Sequence, residues 1–141
     1  MKYRWRACVA VWFFGATFGF AEPPTGGTPI VGLWQVVGAN AKCVETWNFR
    51  ADGTSHNFSG SEESFSEYQL SAFSSEKGYY VLTDTITRTN GQPDCTGRPT
   101  PVGDRATIFL VPLSNDEFKI CLDTMVRLCV GTMTRTTRPT A

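Results

Sequence analysis

The chain has 141 residues, and its 13 Lys and Arg residues balance its 13 Asp and Glu residues. A nucleic-acid-binding domain usually carries a basic patch or stripe, and because this sequence has none we exclude that class. The sequence contains one histidine and no Cys-x-x-Cys pair, so we expect neither a metal site nor a cofactor.

The first 21 residues have the three-part order of a cleavable export signal. A basic stretch, Lys2 to Arg6, precedes an uncharged run of 14 residues, Ala7 to Phe20, and the segment ends at the small residue Ala21. A membrane-spanning helix needs roughly 20 apolar residues, and no longer apolar run follows. We therefore expect an exported protein, periplasmic or secreted, with no membrane span in the mature chain.

Cleavage after Ala21 changes the charge and the cysteine count. It removes three basic residues and no acidic ones, which leaves a net charge of about −3. It also removes Cys8 and leaves four cysteines, an even number that favours two disulfides in an oxidising compartment. Residues 22–29 are then predicted to form a flexible lead, residues 30–136 a single domain and residues 137–141 a tail.

Short runs rich in β-branched and aromatic residues follow the lead at intervals of about 8 to 14 residues, a rhythm typical of an antiparallel barrel or sandwich. Turn residues between neighbouring runs favour hairpins. We predict an all-β meander of about eight strands that forms a small up-and-down barrel, with a β-sandwich as the alternative. A short helix over Gly60 to Phe65 is the one helical element that the pattern permits. The predicted strands are Ile30 to Gly38, Cys43 to Arg50, Thr54 to Ser59, Ser66 to Phe73, Tyr79 to Arg88, Arg105 to Leu113, Glu117 to Leu122 and Leu128 to Arg135.

The first predicted strand contains Gly32-Leu33-Trp34, and the turn after the second contains Asp52-Gly53. These features resemble the lipocalin-like, or calycin, superfamily of small β-barrels, whose first strand opens with Gly-x-Trp. In that superfamily an arginine near the last strand lies across the tryptophan and closes one end of the barrel. The resemblance assigns these roles to Trp34 and Arg135, with Arg138 as the fallback. The alternative is that Trp34 is an ordinary core tryptophan.

Strand alternation predicts two carboxylates inside the barrel. Glu45 shares a face of the second strand with Trp47 and Phe49, and the aromatic face is expected to be interior. Asp84 shares a face of the fifth strand with three apolar residues, Tyr80, Leu82 and Ile86. A lone interior carboxylate is costly unless it is paired or hydrated. The two groups either act as a general acid and base or lie hydrogen-bonded at a barrel mouth, which we favour.

His56 is the natural candidate for proton chemistry near neutral pH. It follows a hairpin turn whose register the sequence does not define, and no Gly-x-Ser-x-Gly elbow surrounds a serine. A hydrolase requires at least two of Glu45, Asp84 and His56 within hydrogen-bonding reach in one pocket. We therefore assign no catalytic residue from the sequence.

The segment Ser61 to Glu67 concentrates three carboxylates and is predicted to connect two strands. Such a connection is either solvated or docks a basic partner. Its spacing does not match an EF-hand calcium loop, so no metal ligand is assigned to it.

The segment 90–104, NGQPDCTGRPTPVGD, is the longest predicted connection. Unstructured connections of this length are often functional, and three prolines stiffen this one. A stiffened loop loses little entropy on binding, which favours an interaction surface with Asp94, Arg98 and Thr100 as candidate contacts. The alternative is that the loop simply closes one end of the barrel.

The four remaining cysteines predict two cross-links. Cys121 and Cys129 are placed to face each other across the last hairpin, and Cys43 and Cys95 are then left to join the second strand to the long loop. The chain-entropy model assigns about 2.5 and about 4 kcal/mol to these two bonds.

Three functions remain open. The leading hypothesis is an exported, non-enzymatic binding domain, of inhibitor or immunity type, that engages another exported protein through the barrel rim and the 90–104 loop. The second is a lipocalin-like carrier of a small apolar ligand, which requires a cavity of a few hundred cubic ångströms lined by Trp47, Phe49, Tyr80, Leu82 and Ile86. The third is a small hydrolase.

Overall fold

The computed structural model describes residues 28–38 and 42–137. The expected export signal, most of the predicted lead, Arg138 and the end of the predicted tail lie outside the described residues. Within the described ranges the regular structure is entirely β, and no helix there is long and apolar enough to cross a membrane.

Eight antiparallel strands follow one another along the chain. Each strand pairs with its neighbours in sequence, and the first also pairs with the last, so the sheet closes into a barrel. This arrangement confirms the predicted up-and-down barrel and excludes the sandwich, which would leave the first and last strands unpaired with each other. The strands are β1 Gly32–Gly38, β2 Val44–Phe49, β3 Thr54–Ser59, β4 Glu62–Leu70, β5 Tyr80–Thr89, β6 Arg105–Ser114, β7 Glu117–Cys121 and β8 Cys129–Arg135.

The start of β4 differs from the prediction. The strand begins at Glu62 and not at Ser66, so the short helix that the pattern permits over Gly60 to Phe65 does not form, and most of the acidic segment is strand and not a connection. Gly60 has a φ of 60° and forms the two-residue turn that joins β3 to β4, where a side chain would approach the backbone of Asp94. The sequence after this turn alternates with a period of two, which a helix does not accommodate.

The antiparallel order determines which residues meet at each end of the barrel. The end that contains the start of β1 also contains the start of β3, β5 and β7 and the finish of the other four strands. Most of the buried apolar side chains gather towards this end, among them Trp34, Phe49, Tyr68, Leu110, Phe118 and Met133. The core therefore fills one end of the barrel, which we call the closed end.

Trp34 and Arg135 form the centre of the closed end. The buried indole of Trp34 donates a hydrogen bond of 2.6 Å to the carbonyl of Ile30, and its ring meets Phe118 edge-on at 5.4 Å. The guanidinium of Arg135 lies 4.3 Å from the ring centroid of Trp34. It also donates to the carbonyl of Val31 at 2.8 Å and to Asp116 at 2.8 Å. This end of the barrel is consequently sealed by satisfied groups.

Both predicted disulfides are formed, Cys43 with Cys95 and Cys121 with Cys129. Cys43 precedes β2, Cys95 lies in the 90–104 loop, and the second bond spans the connection between β7 and β8. All of these positions are at the end of the barrel opposite Trp34. The cross-links therefore restrain the loops around the end of the barrel opposite the closed end.

Candidate functional site

A cavity of about 590 Å³ occupies the end of the barrel opposite Trp34 and Arg135. Its position follows from the topology, since its lining includes the last residue of β1, the start of β2, the end of β3 and the start of β4. The volume lies within the range of about 300 to 1,000 Å³ that is typical of small-molecule sites. The carrier hypothesis requires a space of this kind.

The cavity wall has two chemically different sides. The strands β6, β7, β8 and β1, with Leu122 just after β7, contribute only apolar residues and glycine, and we call this side the apolar arc: Val36, Gly38, Ala106, Ile108, Ile120, Leu122, Val130 and Gly131. The strands β2 to β5 contribute the polar arc, whose polar members are Glu45, Asn57, Ser59, Glu62, Ser64 and Asp84. Trp47, Phe49, Leu82 and Ile86 supply the apolar surface of that side. The cavity is therefore amphipathic.

Small side chains on β3 and β4 explain why there is space. The inward positions of these strands hold Ser55, Asn57 and Ser59, then Glu62, Ser64 and Ser66. An eight-stranded barrel is just wide enough for its side chains to fill it or for one small ligand to be held. Because serines replace large apolar residues here, the side chains do not fill this end of the barrel, and space for one small ligand remains.

Glu45 lies in the polar arc with two hydrogen-bond donors. Its carboxylate accepts from the indole nitrogen of Trp47 at 2.9 Å and from the hydroxyl of Ser59 at 3.0 Å. Burial raises the pKa of this carboxyl above its ordinary value, and repulsion from Asp94 and Glu62 adds to the effect although the two hydrogen bonds oppose it. The charged form is thus disfavoured in the absence of a cation.

Asp84 occupies a separate polar cluster. The hydroxyls of the buried residues Ser55 and Ser66 bond to its carboxylate, the first at 3.3 Å. Burial raises the pKa of Asp84 more than these bonds lower it. The amide nitrogen of Asn57 donates to both serines, at 3.2 and 3.4 Å, while its carbonyl oxygen Oδ1 is buried and has no partner among the described residues. One acceptor of this cluster is therefore left unsatisfied.

Glu62 joins the barrel wall to the long loop. It is only 4% exposed, and its carboxylate accepts from the backbone nitrogen of Thr100 at 2.8 Å and from the Thr100 hydroxyl at 3.0 Å. Thr89 donates a third bond at 3.2 Å. Thr100, a candidate contact residue of the loop, therefore bonds to the barrel wall, and two of the three bonds to Glu62 come from the loop.

The 90–104 loop forms part of the cavity mouth. Cys95 is held by its disulfide and by a bond from its backbone nitrogen to Ser59 at 3.0 Å. The carboxylate of Asp94 accepts from Thr96 and from the backbone nitrogen of Arg98, and these bonds lower the pKa of Asp94 although burial acts to raise it. Asp94, Thr96 and Thr100 line the cavity, whereas Arg98 is exposed.

The aromatic candidates differ in whether they line the cavity. Trp47 and Phe49 line the cavity and meet edge-on at 6.2 Å. Tyr80 lies nearer the closed end, with its ring 6.1 Å from Phe118 and 5.0 Å from Phe73. Of the residues expected to line a ligand site, Leu82 and Ile86 are also in the cavity wall, and Tyr80 is not.

His56 lies on the outer surface of the barrel. It alternates with the inward residues Ser55 and Asn57, stacks on Phe65 at 4.2 Å and contacts Glu63 at 2.9 Å. It does not line the cavity that contains Glu45 and Asp84. Glu45 and Asp84 lie inside the cavity and bond to their own partners, whereas His56 points outward. The structure therefore does not bring His56 together with either carboxylate.

Sequence reasoning did not identify Glu62, Asn57 or the interior serines as part of the site. A signal was present, because small polar residues occupy every second position on both sides of the Gly60 turn. An alternation of this kind predicts two strands with a polar inner face. It was missed because the fourth strand was predicted to start at Ser66, which left Glu62 and Ser64 in a connection.

Comparisons of this chain with protein-family models, with curated proteins and with solved structures give no significant match. Among the described residues, no group of three or more His, Cys, Asp or Glu side chains is placed to hold a metal ion. The geometry of the cavity is consequently the main guide to function.

Proposed function

We propose that the protein is an exported, lipocalin-like binding domain that takes up one small ligand in its barrel. The observation that carries this proposal is the amphipathic cavity of about 590 Å³ at one end of a barrel whose other end is sealed by Trp34 and Arg135. A closed floor and a lined cavity bury most of a bound ligand's surface, which is the usual source of small-molecule affinity.

The two disulfides support the export part of the proposal. Disulfides persist in the periplasm and outside the cell and are rare in the cytosol. Both bonds restrain the segments around the cavity mouth. A preorganised mouth lowers the entropy lost when a ligand is bound.

The hydrolase hypothesis has less support than binding. General acid and base catalysis requires proton-transfer groups within hydrogen-bonding reach of one reacting atom. His56 faces outward, and Glu45 and Asp84 are each held by their own donors. The cavity therefore favours recognition over catalysis.

Uptake of the neutral apolar dye N-phenyl-1-naphthylamine tests the proposal. We expect fluorescence enhancement with one site per chain in protein purified from a periplasm with both disulfides formed. Ser64→Phe places a ring inside the cavity and should weaken dye binding at least tenfold, and Ala106→Trp should do the same by narrowing the mouth. Lys119→Phe, on the exposed outer face of β7, is the matched control and should bind like the wild type.

Thermal unfolding establishes first that each variant is folded. If the wild type takes up no dye and native mass spectrometry of protein from its own cells shows no bound small molecule, the proposal is wrong. It is equally wrong if both folded cavity variants bind dye as the wild type does.

A protein partner remains the second candidate function, because the 90–104 loop is both anchored and exposed. The disulfide at Cys95, the bond from Ser61 to Pro93 and the bonds from Thr100 to Glu62 hold the loop, while Arg98 projects from it. Arg98→Ala should then reduce the recovery of co-purifying exported proteins. Unchanged recovery would remove the loop from the interaction.

A further inference from the structure

We propose that the ligand of the cavity is a small amphipathic organic cation, of which a primary amine with an apolar body is the simplest form. Its charged head would lie against the polar arc, near Glu45 and Asp84, and its body against the apolar arc. The inference rests on the proposed function and names the ligand class for the same cavity.

The charge of the cavity is the first argument. Every ionisable side chain that lines it is acidic, namely Glu45, Glu62, Asp84 and Asp94, and none of the described lining residues is Lys, Arg or His. Neither Glu45 nor Asp84 forms an ion pair among the described residues. A buried carboxylate without a counter-charge is costly. A bound cation supplies that charge, whereas an anion would be repelled by the four carboxylates.

The four carboxylates differ in how far the protein already satisfies them. Glu62 accepts three bonds from Thr89 and Thr100, and Asp94 holds the turn of the long loop. Glu45 and Asp84 bond only to hydroxyls and an indole. An ionised carboxylate offers about four acceptor positions, so these two retain capacity for a ligand.

The hydrogen-bonding positions left unused on Glu45, Asp84 and Asn57 are all acceptors. Besides the free positions on Glu45 and Asp84, the carbonyl oxygen of Asn57 is buried and accepts no hydrogen bond from any residue of the described ranges. An ammonium group carries up to three donors and no acceptor. It therefore complements a wall whose unmet requirement is for donors, and a carboxylate or phosphate head does not.

Aromatic rings complete the recognition surface. Trp47 and Phe49 line the cavity, and the indole of Trp47 is oriented by its bond to Glu45. A cation positioned over an aromatic face is attracted electrostatically by the ring. The ring of Trp47 is thus placed beside the carboxylate that would pair with the ligand head.

The protonation behaviour of the site is compatible with a cationic ligand. Burial raises the pKa of both Glu45 and Asp84, and Glu45 additionally faces Glu62 and Asp94. A bound cation would lower both pKa values. Amine binding should therefore release protons and strengthen as the pH rises through the range in which these carboxyls ionise.

Three probes of equal chain length separate charge from hydrophobicity: octylamine, octanol and octanoate. We expect isothermal titration of the purified, disulfide-bonded protein at pH 7.5 to give octylamine at least tenfold tighter binding than octanol and no measurable binding of octanoate. Each titration is repeated as competition against the naphthylamine dye, which places the probe in the cavity.

Two isosteric variants locate the head group. Glu45→Gln and Asp84→Asn should each weaken octylamine binding about tenfold and leave octanol binding within about twofold of the wild type. Glu67→Gln removes an exposed carboxylate from the outer face of β4 and is the matched control. It should leave all three titrations unchanged.

The outcomes distinguish this inference from the function on which it rests. If the dye binds but octanol or octanoate binds as tightly as octylamine, the cation assignment is wrong and the carrier proposal stands. The wild-type series alone decides this point, whatever the variants do. If neither the dye nor any probe binds, the carrier proposal is wrong and the cation assignment with it.

Discussion

The two ends of this barrel are built from the same eight strands, but they differ in how far their polar groups are paired. At the closed end, Trp34 is fully buried, its N–H has an acceptor, and Arg135 covers its ring. At the cavity end, within the part of the chain that the structure describes, two carboxylates lack a counter-charge and the carbonyl oxygen of Asn57 lacks a donor. Unsatisfied groups concentrated in one region are typical of a functional site.

The contrast is visible within single strands. The strand β2 ends at the closed end with the buried residue Phe49 and begins at the other end near Glu45. The strand β4 runs from the buried Glu62 and Ser64 at the cavity end to Tyr68 at the closed end. A change from polar to aromatic inward residues thus divides the barrel into a cavity half and a core half.

The largest expected effect comes from replacing the tryptophan of the closed end. Trp34→Ala removes a fully buried side chain and should lower the free energy of unfolding by about 3 to 5 kcal/mol, measured by chemical denaturation. Trp47→Ala is the matched change at the cavity end, where the ring is only partly buried, and should cost less stability while weakening ligand binding. Equal losses of stability would contradict the division between the two ends.

A second effect concerns the restraint of the cavity mouth. Replacing Cys43 and Cys95 together by serine should reduce the free energy of unfolding by about 4 kcal/mol on the chain-entropy model and weaken dye binding. The matched pair Cys121 and Cys129 closes a shorter loop, so the same change there should cost about 2.5 kcal/mol. If dye affinity is unchanged when Cys43 and Cys95 are replaced, the loop is not a wall of the site.

The smallest expected effect is a dependence of stability on pH. Burial raises the folded-state pKa of Asp84 above its unfolded value, so between these values the folded state binds more protons and becomes more stable as the pH falls. Asp84→Asn should therefore be more stable than the wild type near pH 7.5, and the difference should shrink as the pH falls through the raised pKa.

Thermal unfolding of both proteins from pH 7.5 to 4.5 measures this difference, with Glu67→Gln as the control. The carboxyls of Asp52, Asp94 and Asp123 have lowered pKa values and lose stabilising interactions only at lower pH. They are present in both proteins and cancel in the comparison. If the difference in stability between Asp84→Asn and the wild type does not change with pH, then ionisation of Asp84 does not destabilise the folded protein, and the prediction is wrong.

Much of the fold was predictable because its signals are local. Alternation and turn residues identified all eight strands, although β4 starts four residues earlier than predicted. Pairing both disulfides required only the order of the strands and the short span between Cys121 and Cys129. The site was predicted in part: Glu45, Trp47, Phe49 and Asp84 line the cavity as the interior faces implied, while Glu62 was placed in a connection.

The sequence by itself therefore determined the strands, the inward faces and the cysteine pairs, because each depends on residues that are close in the chain or few in number. Closure of β1 against β8, the outward position of His56 and the placement of the 90–104 loop on Glu62 were decided only by the tertiary structure. These features join residues far apart in sequence. The cavity was also decided only by the tertiary structure, because its volume is the space that the side chains of all eight strands together leave unfilled.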